Sequence, residues 1–162
     1  PALRRAPSLW PFVAILPQKP SYNAPWSQFF DVILGMLESL KAEYRIDTDR
    51  LYLTGVSQGG NGTWELAASR PDLWAAIAPI CGYGDPSRFV GQLKGMPIWC
   101  FHGEADDIVP LEATARIVRA LEAAGEAPRF TRYPGVGHVS WDKAYQEEPL
   151  PEWFLQHTRA GR

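Results

Sequence analysis

The chain has 162 residues, 46% of them hydrophobic and 12% aromatic, enough to build the core of one domain and short for two. Sixteen Lys and Arg oppose eighteen Asp and Glu for a formal net charge of −2. No run of like charge follows a phosphate backbone or an anionic bilayer, so neither nucleic acid nor a membrane is an expected partner.

The longest apolar stretch, residues 9–16, is interrupted by Pro11 and falls far short of the roughly 20 residues that cross a bilayer. Arg4 and Arg5 in front of it imitate a secretory leader, but the run is short, contains a proline and lacks a small-residue cleavage site. Residues 11–17 (PFVAILP) therefore read as a buried strand. Apolar residues recur at Phe30, Ile33, Leu34, Leu37, Leu40 and Tyr44, the spacing of one helix face over 30–44. Residues 50–54 (RLYLT) form a brief strand that runs into a glycine-rich turn, and 60–69 continue as a helix ending before Pro71.

Residues 75–81 (AAIAPIC) and 97–101 (PIWCF) read as two more buried strands, with a loop at 82–86 between them. Helical spacing returns over 111–124 through Leu111, Ala115, Val118 and Leu121. Residues 129–133 (RFTRY) follow as a strand, and 151–157 as a terminal helix with Trp153 and Phe154 turned inward. Strands alternating with helices predict an α/β fold, a parallel sheet flanked by helices, as a single domain over 1–162. The cysteines, Cys81 and Cys100, have neither disulfide-framework nor metal-ligand spacing and read as buried thiols, a bridge between the two being the alternative, and no metal is expected.

Gly55-Val56-Ser57-Gln58-Gly59 is a G-x-S-x-G between a predicted strand and a predicted helix, the setting in which this pattern makes a nucleophile elbow. A serine at so sharp a turn takes strained backbone angles, and glycines at 55 and 59 would remove collisions with it. The plainer alternative is a glycine-rich turn with an incidental serine. A serine hydroxyl needs a base. Of three histidines, His138 lies in a loop after the last predicted strand, where its ring can reach Ser57 over the strand ends. His102 closes a strand and reads as structural, and His157 as a packing or solvated residue. A carboxylate must orient the imidazole. Asp106 and Asp107 share a strand-end loop, where either could instead serve a helix N-terminus, and Asp142 ranks below both because it would have to fold back within its own loop.

The elbow GVSQGG, the segment HGEADDIVP and the loop YPGVGH, in that order, resemble the serine esterase branch of the α/β-hydrolase fold. The runs RIDTDRLYLTGVSQGG and WAAIAPICG are similar to the predicted peptidase, phospholipase/carboxylesterase and feruloyl-esterase-like members related to polyhydroxybutyrate depolymerases and dienelactone hydrolases. The likeness extends from about Pro11 to the end. It implies a Ser57, Asp106 and His138 triad, the acid being the aspartate four residues after the histidine of HG-x-x-D, and it implies no cofactor. Serine departs from the dienelactone hydrolases, whose nucleophile is cysteine.

The resemblance also implies an oxyanion hole in which the Gln58 N–H is one donor. The second belongs to a His-Gly-rich loop upstream of the strand matching 12–16, and no such sequence precedes Pro11 here. In that fold an earlier strand separates the one matching 12–16 from the elbow strand. The chain, which opens at Pro1, is therefore expected to be N-terminally truncated, with self-association through an incomplete sheet as a consequence.

Among Trp26, Trp64, Tyr83 and Trp141, the last is the best candidate to line a substrate pocket. Gly59, Gly60 and Gly62 read as close helix-to-strand approach; the phosphate-binding alternative lacks its lysine. The expected activity is hydrolysis of short-chain or aromatic acyl esters, a small-molecule reaction through an acyl-enzyme. Its alternatives are a catalytically impaired fragment or noncatalytic module, and a small-peptide hydrolase of prolyl-oligopeptidase type.

Overall fold

The computed structural model of the chain describes residues 10–161, so Arg4, Arg5 and Leu9 of the leader-like start lie outside it. Four strands form one sheet in the order β1 (Tyr52–Val56), β2 (Ala76–Ile80), β3 (Trp99–Gly103), β4 (Arg129–Tyr133), and every neighbouring pair is parallel. The helices are α1 (Phe30–Glu43), α2 (Gln58–Ser69), α3 (Leu111–Ala123), α4 (Trp141–Gln146) and α5 (Leu150–Leu155). Among the described residues no helix is long and apolar enough to cross a membrane.

Side chains alternate across the inner strands, and this sorts the core into two layers. Ile77, Ile98 and Cys100 face one side, packed with Leu37 of α1, Trp64 and Leu66 of α2, and Ile117 and Leu121 of α3. Ala78, Ile80, Trp99 and Phe101 face the other, packed with Ala144 of α4 and Leu150 and Phe154 of α5. Strands buried on both faces are predominantly apolar, which is why β2 was legible as an unbroken run and β3 in part: the strand read at 97–101 lies at Trp99–Gly103 and includes the buried, hydrogen-bonded His102 that ended the apolar run. Cys81 and Cys100 belong to opposite layers and are free, buried thiols.

Two expectations need correction. Residues 11–17 form no strand. Their backbone finds no ladder partner among the described residues, and the segment is held by side chains instead: Phe12 sits edge-on to Tyr52 and Phe154, while Ile15 packs into the opposite layer. Val13 and Leu16 are left exposed. Strand β1 accordingly pairs with β2 alone among the described residues. Tyr44 is the second: it is extended and half exposed at the C-cap of α1, one residue past the face it was expected to complete. The short helix α4 carries Trp141, Ala144 and Tyr145 at helical spacing, but six residues are too few for periodicity to announce it.

Candidate active site

Because all four strands run the same way, the segments that follow them gather at one end of the sheet, where open α/β sheets place their ligands. Ser57 sits between the last residue of β1 and the first of α2, at φ 54° and ψ −114°. A non-glycine residue rarely adopts a positive φ, so surrounding structure must enforce it. The Ser57 N–H donates to the Ile80 carbonyl (2.9 Å), and its own carbonyl accepts the Asn61 N–H (3.0 Å) to open α2. A Cβ on Gly55 would lie 2.3 Å from the Gly59 carbonyl oxygen, so the turn closes only with glycine at 55. Gly59 faces open space; a glycine there is not demanded by any collision, contrary to the sequence reading.

Asp106 lies three residues beyond β3. Its Oδ1 accepts the N–H groups of Ile108 (2.9 Å) and Val109 (2.8 Å), which curls the loop and aims Oδ2 at the His138 ring. His138 reaches across from the loop after β4. That loop crosses the Asp106 segment so closely that a Cβ on Gly103 would lie 2.3 Å from the Val136 carbonyl oxygen. The Ala105 N–H donates to that same carbonyl at 2.9 Å.

The result is a continuous chain: His138 Nδ1 is 2.8 Å from Asp106 Oδ2, and His138 Nε2 is 2.9 Å from Ser57 Oγ. Nδ1 faces a carboxylate and so carries the ring proton, which leaves the Nε2 lone pair to accept the serine hydroxyl. Burial opposes ionisation of Asp106, but the His138 ring and the two backbone donors outweigh it and hold the carboxyl below its ordinary range. The Asp106 side chain is fully shielded from solvent, while 16% of the His138 side chain remains exposed. Asp107 and Asp142 are both exposed, and Asp142 accepts from Gln146 on its own helix.

Trp141 stands edge-on to the His138 ring, with centroids 5.5 Å apart. Trp64 is a fully buried core residue stacked on Phe89, and Trp26 packs against Gly62 of α2. Tyr83 is half buried, its carbonyl held by Asn61. The Gln58 N–H opens α2 next to the serine hydroxyl, and the Gln58 side chain accepts from Lys19 (2.8 Å). Lys19 also donates to the carbonyls of Tyr22 and Ala24, and no motif pointed to it.

Cys81, after β2, was not expected here either. It has φ 39°, and its sulfur, an Asp106 oxygen and a His138 nitrogen lie within 4.8 Å of one another. These donor types could hold a soft divalent cation. Against that use, burial pushes the Cys81 thiol up to about 11, and the carboxylate and imidazole already engage each other.

Burial also lowers His102 and His157 from the ordinary imidazole value. Unfolding returns both to about 6.5, so below that pH the unfolded chain binds protons that the folded chain refuses. Stability then rises with pH, and it falls as the pH drops below the unfolded value. The thermal midpoint is expected to be lower at pH 5 than at pH 7.5, with His157→Gln removing part of the fall; a midpoint that holds constant over this range would refute it.

A family model described as the dienelactone hydrolase family matches residues 24–148. A relative from Methylorubrum extorquens, which carries the name carboxymethylenebutenolidase, is 31% identical over 83% of this chain and 53% of its own length. The bifunctional acetylxylan esterase/xylanase XynS20E of Neocallimastix patriciarum is 28% identical over 76% of this chain and 19% of its own length. Among solved structures, a thermostable esterase superposes with a TM-score of 0.76 at 36% identity, covering 81% of this chain and 37% of that one. The chain spans about half the length of the first of these curated relatives.

Proposed function

Since the chain belongs to the dienelactone hydrolase family, and its sheet has the α/β-hydrolase arrangement of its esterase neighbours, we propose that it hydrolyses carboxylic esters by acyl transfer through Ser57. The observation that carries this reading is the unbroken hydrogen-bond chain from Ser57 through His138 to Asp106. His138 Nε2 takes the hydroxyl proton as Ser57 Oγ attacks the ester carbonyl carbon. The carbonyl oxygen becomes an oxyanion beside the Gln58 N–H, a donor that needs no reorganisation when the charge develops. Collapse of the tetrahedral adduct breaks the bond to the alcohol oxygen, which leaves with the proton from His138 Nε2. Water then adds to the acyl-serine and gives its proton to the same nitrogen; the carboxylic acid departs as Ser57 recovers its hydrogen.

Residues 1–162 act in this proposal as one catalytic domain working on a small-molecule ester without a metal or cofactor. Trp141 beside the base and the exposed Val139 next to it offer an apolar wall, which suits short-chain or aromatic acyl groups. The test is pre-steady-state release of nitrophenol from a nitrophenyl acetate. A burst near one equivalent per chain is expected, because acylation precedes the slower attack of water. No burst and no turnover by the folded protein would overturn the proposal and leave the noncatalytic module standing.

A further inference from the structure

His102 has no exposed surface, and each of its ring nitrogens is committed. Nδ1 lies 2.8 Å from Thr114 Oγ1, whose hydroxyl is also 2.7 Å from the Gly82 carbonyl oxygen. Nε2 lies 2.8 Å from the Val109 carbonyl oxygen and 3.2 Å from Asp106 Oδ2, the same carboxylate oxygen that receives His138. Proton counting selects one neutral tautomer. A proton on Nδ1 would leave the Nε2 lone pair facing a carbonyl and a carboxylate, two acceptors in a buried space. A proton on Nε2 has the Val109 carbonyl as its nearer acceptor, at 2.8 Å, with Asp106 Oδ2 beside it at 3.2 Å, and Nδ1 then shares the Thr114 hydroxyl proton with Gly82. Burial, which lowers His102 from the ordinary imidazole value, agrees with a neutral ring.

We infer that His102 is a positioning residue: its Nε2–H binds Asp106 Oδ2 and fixes the carboxylate against the base of the triad. The inference rests on the reading of Ser57, His138 and Asp106 given above. With His102 in place, Oδ1 holds two backbone N–H groups, and Oδ2 faces His138 Nδ1 at 2.8 Å and His102 Nε2 at 3.2 Å, so nitrogens on both sides of the carboxylate oppose its swinging away from His138. Asp106 also divides its charge between the two rings. Removing the His102 donor has two consequences: the carboxylate gains freedom to turn, and the charge on Oδ2 is left to His138 alone. The ionisable groups facing His102 are Asp106 and, across it, His138; the Cys81 sulfur lies within 4.8 Å of an oxygen of the same carboxylate.

The experiment compares His102→Gln, His102→Asn and His102→Leu by kcat and by the acid limb of the kcat/KM profile, with rates counted per burst-active site. Glutamine reaches the place of Nε2 and keeps a donor toward Asp106; asparagine reaches only the place of Nδ1 and keeps a partner for Thr114. Leucine and asparagine are expected to lower kcat by about tenfold, the effect of one hydrogen bond to a charged group, and to move the acid limb up by about half a unit, while glutamine stays near the parent. A role confined to packing would reduce the number of active sites and leave the limb in place, and that result would overturn the inference. Should leucine not fold, the asparagine and glutamine pair makes the same comparison. Nitrogen NMR of the parent protein needs no turnover. A His102 proton on Nδ1 would overturn the inference even with an active enzyme, whereas the expected Nε2–H in a chain without ester turnover would count against the proposed function and not against the hydrogen bond.

Discussion

Ser57→Ala is expected to lower ester turnover by about four orders of magnitude or more, with little change in stability. Removing the nucleophile of a coupled triad leaves only the rate supplied by binding and the oxyanion donors, which is the origin of so large a loss from one atom. The fold should tolerate it. Alanine meets the same cost at φ 54° that serine does, and the Ser57 N–H and carbonyl that tie β1 to β2 and open α2 belong to the backbone. What disappears is the hydroxyl and its 2.9 Å contact with His138 Nε2. The measurement is kcat/KM on a nitrophenyl ester beside a thermal melt. Parent-like turnover by purified Ser57→Ala protein would mean that the elbow serine is not the acyl carrier.

Asp106→Asn should cost kcat by about four orders of magnitude, and Asp107→Asn and Asp142→Asn by less than about twofold. The asparagine oxygen can keep the Ile108 and Val109 N–H groups, so the loop has reason to keep its shape. The amide NH2 then faces His138 where a carboxylate oxygen stood. It favours the tautomer with a bare Nδ1 and a proton on Nε2, and that ring cannot accept from Ser57. The imidazolium formed during acylation also loses its buried counter-charge. Asp107 and Asp142 are exposed, and their substitution changes neither effect. Comparable kcat losses at 106 and 107 would show that loop conformation, and not the tautomer of His138, governs the rate.

The sequence determined what local chemistry can determine. Apolar runs located β2, and β3 to within two residues, because strands covered on both faces are predominantly apolar, and strand β4 was read with its bounds intact at Arg129–Tyr133. The elbow was legible because a sharp strand-to-helix turn demands glycine at 55, and the GVSQGG pattern shows that demand. His138 could be proposed as the base from the order of elements, since a loop after a parallel strand opens at the same end as the serine.

Other features depended on contacts that no spacing encodes. Residues 11–17 have the composition of a strand, but a strand exists only through hydrogen bonds to a neighbour, and among the described residues none stands beside them. Between Asp106 and Asp107 the local sequence was silent; in the structure Asp106 Oδ2 is the oxygen that faces His138, and two backbone N–H groups on Oδ1 set the curl of the loop that turns it there. The positions of Lys19 beside Gln58 and of Cys81 beside Asp106 and His138 arise from segments separated by tens of residues, whereas His102 and Asp106 are four residues apart and meet because the loop after β3 turns back on itself. Hydrophobic period is a property of neighbours along the chain, whereas a buried hydrogen-bond network is a property of neighbours in space. The sequence reads His102 as a structural residue bonded to its adjacent loop, as its contact with the Val109 carbonyl bears out, but only the packed tertiary structure could decide that its Nε2 also stands 3.2 Å from the carboxylate oxygen that faces His138.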